Sequence, residues 1–161
     1  MKRYVTEVHR TKKLKPDAEL MSAYATYNAT FKDDYDMAVR AAQIAVEVKQ
    51  YAKGVELYRE ISENRLFSDK QRQEALINEI ATSEKSDDLK LRRTAYAHFL
   101  KRSNDETKNF EVMYQLAYLS YQEKDFKTAL ESFDDLATAK KGSATLKKKA
   151  ADCLIISSRL G

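Results

Sequence analysis

The chain has 161 residues and a formal net charge of +4, and 34% of its residues are charged. This length suits one compact domain or four to five helical hairpins in a row. Apolar residues make up 43%, enough for a core, whereas glycine occurs 3 times and proline once. Because strands and tight turns depend on glycine and proline, and helices avoid them, the composition predicts an all-α fold.

The basic excess lies mainly in the first fifteen residues and in residues 140–149. Elsewhere, acidic and basic residues alternate. A nucleic-acid binder usually concentrates its charge on one working face, so the favoured interpretation of these clusters is solvated surface. An acidic or nucleic-acid partner is the alternative, and nucleic acid is not the expected partner.

Helical periodicity begins near Pro16, which divides a basic N-terminal segment, 1–16, from a helical domain, 17–161. Pro16 and Asp17 are typical of a helix start, and apolar residues then recur at spacings of four, three and four, at Leu20, Tyr24, Tyr27 and Phe31. The same periodicity predicts further helices at 36–48, 51–63, 71–84, 89–102, 110–123, 126–139 and 144–159. The very short connections between them predict antiparallel neighbours.

The predicted hairpins resemble one another in sequence. A small residue recurs in the first helix at Ala42, Ala117 and Ala151, and another in the second helix at Gly54 and Ala129. Such residues let the two helices approach closely. Aromatic residues also recur, at the start of the second helix (Tyr51, Phe126) and at the predicted junction with the next hairpin (Tyr58, Tyr96, Phe133).

These offsets resemble the tetratricopeptide repeat (TPR) family, whose unit is a helix pair of about 34 residues. The resemblance covers about 35–159 and implies copies at 35–72, 73–109 and 110–143, with a partial copy at 144–161. It implies an α-α superhelix, a right-handed solenoid of antiparallel helix hairpins. In the middle copy, Ile80 and Arg92 occupy the small-residue positions and Glu79 replaces an apolar residue, so looser or rotated packing is expected there. The proline that usually closes each unit of this family is missing from every copy.

In such a solenoid, the first helix of each pair lines a concave groove. By resemblance, the groove positions of the clearest copy are Glu111, Tyr114, Tyr118, Tyr121 and Gln122. The equivalent positions are Gln43 and Glu47, with Asp36, Val39 and Val46, in the first copy, and Lys148, Asp152 and Ile155 in the last. Tyrosine is common at interaction hot spots, although some of these rings could instead pack against a neighbouring repeat.

Some members of the family hold the C-terminal carboxylate of a peptide with Lys, Asn and Arg side chains in the groove. Those positions here hold Val39, Gln43 and Glu47 in the first copy, and Tyr114, Tyr118 and Gln122 in the third. This carboxylate clamp is therefore not expected. A segment bound through aromatic and aliphatic contacts, extended or helical, fits the residues better.

The residues that could carry chemistry are few. His9 and His98 are the only histidines, and the single cysteine, Cys153, lies in an apolar run typical of a buried position. No glycine-rich phosphate loop and no metal-ligand spacing is present, so we expect no catalytic site, no metal and no cofactor.

The expected function is a protein-interaction scaffold that binds another protein or peptide, within a larger assembly. A nucleic-acid-binding repeat, or an architectural segment that self-associates, is the alternative. No apolar stretch approaches the length of a membrane span, so membrane insertion is not expected. No secretory signal is visible after Met1, which favours the cytoplasm, or the cell envelope if the chain is a piece of a longer protein.

Overall fold

The computed structural model describes residues 1–12 and 17–160, without the side chains of residues 157 and 160. Within those ranges the regular elements are helices, and no strand is present. The helices are α1 (Lys2–Lys12), α2 (Ala18–Thr30), α3 (Tyr35–Glu47), α4 (Tyr51–Glu63), α5 (Asp69–Ser83), α6 (Leu89–Arg102), α7 (Glu106–Gln122), α8 (Phe126–Thr138) and α9 (Ala144–Leu160). The predicted all-α fold is confirmed.

Aspartate side chains cap most of the helix starts. The carboxylate of Asp17 accepts a hydrogen bond from the backbone N–H three residues later at 3.1 Å, and that of Asp34 does so at 3.3 Å. Asp105 and Asp125 repeat this bond at 2.9 and 3.2 Å, and Asp88 caps α6. Each cap satisfies an N–H group that has no partner inside the helix. The caps at Asp34, Asp88 and Asp125 lie between predicted helices, α7 begins four residues before its predicted start, and Pro16 lies outside the described residues.

The turns that end α3 and α7 have the same backbone conformation. Lys49 and Lys124 adopt left-handed φ angles of 61° and 63°. The amide of the following residue then bonds to the carbonyl five residues earlier, at 2.8 Å for Gln50 and 2.9 Å for Asp125. This pattern is the Schellman motif, in which glycine usually holds the left-handed position. The internal repetition seen in the sequence therefore extends to the turn geometry of the first and third copies.

The chain folds into two compact units, Met1–Leu91 and a second that begins at Arg92. The boundary falls inside α6, so the predicted middle copy, 73–109, is divided between them. The basic N-terminal segment, to which the sequence assigned no helix, contains α1. Val5 and Val8 of α1 are buried with α2 residues, so this helix belongs to the first unit.

In the first unit, consecutive helices from α1 to α5 pack against each other. A Cβ atom added to Gly54 would lie 3.0 Å from Val46 Cγ2 and 3.1 Å from Thr82 Cγ2, so α4 passes close to both α3 and α5 here. Tyr58, one of the recurring aromatic residues, packs in a cluster with Ala42 and with Ala75 of α5. The predicted roles of Gly54 and Tyr58 in hairpin packing are confirmed.

Glu79 of α5 is fully buried, although it occupies an apolar position of the repeat. Both Nε and a terminal nitrogen of Arg59 on α4 donate to one Glu79 carboxylate oxygen, at 2.9 and 2.7 Å. A charge-assisted hydrogen bond of this kind offsets the loss of hydration of the carboxylate. This ion pair explains how an acidic residue is accommodated between α4 and α5.

In the second unit, α7 packs on α8 and α8 on α9, and α7 also touches α9. The core consists of Phe110, Ala117, Ala129, Phe133, Leu136 and Ala150. The fully buried alanine of α9 is Ala150, one residue before the predicted Ala151, which is half-buried. The connections of α8 to its neighbours are short, so α8 is antiparallel to both, and α7 and α9 run parallel.

Candidate binding surface

Aromatic rings connect the surface of α7 to the core of the second unit. Tyr118 is 40% exposed and stacks on Tyr121, with ring centres 6.1 Å apart and 24° between the planes. Tyr121 in turn presents its ring to Phe126 at the start of α8, edge to face at 5.7 Å. Tyr118 is therefore an exposed ring on a fixed support. An anchored ring loses little conformational entropy when it binds a partner.

Tyr114 lies one turn before Tyr118 but is largely packed into the core. Its ring centre is 5.7 Å from that of Phe133, and its hydroxyl lies 3.6 Å from the sulfur of Cys153 on α9. Burial and then the contact with Cys153 raise the pKa of Tyr114 to about 12. Tyr114 and Tyr121 thus form the wall beneath the surface. Tyr114 reaches α9 of the next predicted copy, whereas Tyr121 packs on Phe126 of its own copy.

The remaining predicted residues of α7 lie on its exposed side. Glu111, Tyr118 and Gln122 are spaced by seven and four residues, so they share one face of the helix. Gln122 is exposed, whereas Glu111 is half-buried and forms an ion pair with Lys108 at 2.8 Å. The five predicted positions of α7 are therefore one continuous surface strip and its supporting wall.

Helix α9 forms the other side of this strip. Cys153 contacts Tyr114, and the charge of Asp152 contributes to the raised pKa of Tyr114, so both residues lie close to that phenol. Ile155, further along the helix, is 53% exposed. Asp152 and Ile155 were predicted as groove positions, but Ile155 lies about 160° around the helix from Cys153. Ile156, which is 52% exposed, shares the side of Cys153. No feature of the sequence indicated that Cys153 lies beside a tyrosine hydroxyl. We call the exposed residues of α7 and α9 on either side of the Tyr114–Cys153 contact the α7–α9 surface.

Gln43 and Glu47 belong to the first unit. Both are exposed on α3, four residues apart and therefore on the same helix face. The seven predicted binding residues thus form two groups, one in each unit. Of these, only the group on α7 includes an exposed aromatic ring.

The first unit also contains a cavity of about 410 Å³ that the sequence did not indicate. It lies among α2, α3 and α4, and its apolar lining includes Met21, Leu57, Ile61 and Phe67. Met21, Leu57 and Ile61 lie on helices, whereas Phe67 lies in the connection between α4 and α5. Periodicity identifies the buried face of a helix but not the gaps left between helices, so no signal in the sequence could have located this cavity.

Within residues 1–12 and 17–160, no group of three or more histidine, cysteine, aspartate or glutamate side chains is placed to hold a metal ion. His9 lies beside the hydroxyl of Tyr24, with Nδ1 and the oxygen 2.6 Å apart, at the contact between α1 and α2. None of the helices in the described part of the chain is both long enough and apolar enough to cross a membrane.

Comparison with known proteins gives no match: no protein-family model, no curated protein and no solved structure is similar to this chain at a significant level. The α7–α9 surface is therefore interpreted from its own geometry and from the internal repetition.

Proposed function

We propose that this chain is a TPR-type helical repeat scaffold, without enzymatic activity, that binds a segment of another protein on the α7–α9 surface. Three features support the repeat assignment. Small residues are buried at equivalent offsets in the first and third copies, at Ala42 and Ala117. The recurring aromatic residues Tyr58 and Phe133 cover equivalent junctions, and the turns after α3 and α7 are the same Schellman motif.

The observation that carries the binding proposal is the environment of Tyr118. A large ring that is 40% exposed would ordinarily be mobile, but here it stacks on Tyr121, which itself packs on Phe126. Preorganised tyrosines combine apolar contact area with a hydroxyl group and are typical of interaction hot spots. The exposed Ile156 on α9, three residues after Cys153 and on the same side of the helix, adds aliphatic area to the same surface. A segment laid between the two helices would therefore meet an aromatic and an aliphatic anchor.

The test uses the whole chain and a phage-displayed library of random peptides about twelve residues long, which when extended exceed the length of the surface. Peptides selected by the wild-type chain are then measured by fluorescence anisotropy against Tyr118→Ala. Loss of a hot-spot ring predicts that the Kd rises at least about tenfold. The matched control is Tyr4→Ala, because Tyr4 is also an exposed tyrosine, at 60%, but lies on α1.

Circular dichroism must show the same helicity for both variants, because Tyr118 supports no core contact beyond Tyr121. Selection of peptides that bind both variants as tightly as the wild-type chain would show that binding does not use this surface. Failure to select any peptide sensitive to Tyr118→Ala would reject the proposed site.

A further inference from the structure

The lysines that precede and begin α9 form a cluster of uncompensated positive charge. Five lysines and no acidic residue occur within residues 140–149. Lys141 lies 3.2 Å from Glu106, but both side chains are mostly exposed, so this pair contributes little. Among the described residues, no carboxylate lies within ion-pair distance of the other four, Lys140, Lys147, Lys148 and Lys149. The surface near these lysines therefore has a positive potential.

This cluster lies at one end of the α7–α9 surface. Tyr114 touches Cys153 and the two helices run parallel, so residue 108 of α7 lies level with residue 147 of α9. Lys149 and Ile156, four residues before and three residues after Cys153, share its side of α9 and are seven residues apart, a separation of about 10 Å. The surface thus has a direction: lysines at the N-terminal ends of the two helices, and aromatic and aliphatic side chains two turns further on.

Two carboxylates near the lysine end are already engaged. Glu111 is paired with Lys108 at 2.8 Å, and Asp105 accepts the backbone N–H of Lys108 as the cap of α7. Asp152 lies one turn beyond Lys148 along α9, so it separates the basic end from the apolar end. A bound acidic residue is favoured at the lysine end and disfavoured at the level of Asp152.

The residues at this end favour a protein segment over a nucleic acid. Single-stranded nucleic acids bind by stacking their bases on exposed aromatic rings and arginines as well as by phosphate contacts. The lysine cluster contains no arginine, and the ring that lies under the turn, Phe110, is buried beneath Gly142. The α7–α9 surface thus offers bases one exposed ring, Tyr118, and no arginine beside the lysines, whereas side-chain carboxylates need no stacking partner.

We infer that the segment bound on the α7–α9 surface carries a cluster of acidic residues at the lysine end and a large apolar residue, about 10 Å away, at the Tyr118 and Ile156 end. This inference rests on the proposed function, because it assigns chemistry to the partner of that same surface. The acidic residues are held by side-chain carboxylate contacts with Lys148, Lys149 and their neighbours. A basic segment is excluded by repulsion at the lysine end.

The experiment extends the peptide selection to the charge variants. The peptides that lose affinity for Tyr118→Ala are sequenced and are expected to be enriched in Asp and Glu on one side of an apolar residue. Their affinities are then measured for the double variant Lys148→Ala/Lys149→Ala. The Kd is expected to rise about five- to tenfold, and raising the ionic strength from about 0.05 M to about 0.5 M should weaken wild-type binding more than binding by the variant.

The matched control is the double variant Lys70→Ala/Lys127→Ala, which removes two exposed lysines from α5 and α8 and should leave the Kd unchanged. Tyr118-dependent peptides without acidic enrichment, or with equal affinity for both double variants, would overturn this inference and leave the proposed function standing. A selection with no Tyr118-dependent peptide would overturn both. Displacement of the peptides by a mixed-sequence oligonucleotide of about 20 nucleotides, dependent on Lys148 and Lys149, would assign the lysines to nucleic acid and also overturn it.

Discussion

The hydroxyl of Tyr114 lies where a negative charge would be poorly hydrated. It is packed between Phe133 and Cys153, and the carboxylate of Asp152 is nearby. Tyr35 of α3 has a comparable position, since burial and the neighbouring Glu74, 3.4 Å away, raise its pKa to about 12 as well. At both residues the folded chain favours the neutral phenol over the phenolate.

This preference predicts a loss of stability at alkaline pH. The two neutral phenols contribute fully to the free energy of unfolding below the ordinary tyrosine pKa of 10.0. Their contribution is lost as the pH rises from about 10 to about 12. The free energy of unfolding falls by at most about 1.4 kcal/mol per pH unit for each phenol, and by less where the hydroxyl keeps some hydration. In an absorbance titration, Tyr35 and Tyr114 should ionise late, near pH 12.

Single variants assign the two late steps. Tyr114→Phe should remove one of them and Tyr35→Phe the other, while circular dichroism at each pH confirms that the helices persist. Ionisation of every tyrosine below about pH 11 in a chain that is still folded would contradict the environment described for Tyr114.

The sequence predicted the residues of the α7–α9 surface better than their environments. Tyr114 and Tyr118 both occupy groove positions of the repeat, but only the structure shows that one ring enters the core and the other remains exposed. The difference depends on Phe133 and Cys153, which lie on other helices. The sequence likewise predicted that Glu79 would disturb the packing of its copy. It could not show that Arg59, 20 residues earlier on another helix, is the partner of Glu79, because sequence spacing does not show which side chains meet.

At the scale of the helices, the prediction was accurate where apolar residues recur over several turns. The predicted ends from α2 to α9 agree with the structure within a few residues, and aspartate caps mark most of the starts. The exception is α1, which buries only Val5 and Val8 and is otherwise basic and polar. Two buried positions give too short a periodic signal to predict a helix.

The turns that end α3 and α7 lead to a prediction about stability. Lys49 and Lys124 adopt left-handed backbone conformations. These conformations are strained in a residue with a Cβ atom, whereas glycine adopts them freely. Lys49→Gly and Lys124→Gly should each raise the free energy of unfolding by about 0.5–1 kcal/mol, after allowing for the greater entropy of glycine in the unfolded chain. Chemical denaturation measures the change.

The control is Lys148→Gly, an exposed lysine inside α9, where the same substitution should lower the free energy of unfolding by about 1 kcal/mol. Opposite signs for the same chemical change would isolate the effect of the backbone conformation. Destabilisation by both Lys49→Gly and Lys124→Gly would show that these lysine side chains contribute contacts that outweigh the strain.

At the scale of the whole molecule, charge is unevenly distributed along the chain. Basic and acidic residues balance within the first unit, so the net charge of +4 falls on the second, where the lysine cluster lies. Composition alone gave the total charge, and the sequence located the two basic clusters. The structure adds that Lys2 and Lys12 of the N-terminal cluster contact carboxylates.

The same charge distribution bears on the alternative that the chain self-associates through α9. Ile155 and Ile156 are 53% and 52% exposed, but two half-exposed isoleucines supply far less than the roughly 800 Å² per partner that a stable dimer buries. Lys148 and Lys149 lie on the same helix, so a symmetric contact between two α9 helices would bring like charges together. The chain should therefore sediment as a monomer from about 1 to about 100 µM. A dimer that dissociates in Ile155→Glu but not in the first-unit control Leu66→Glu would instead support self-association through α9.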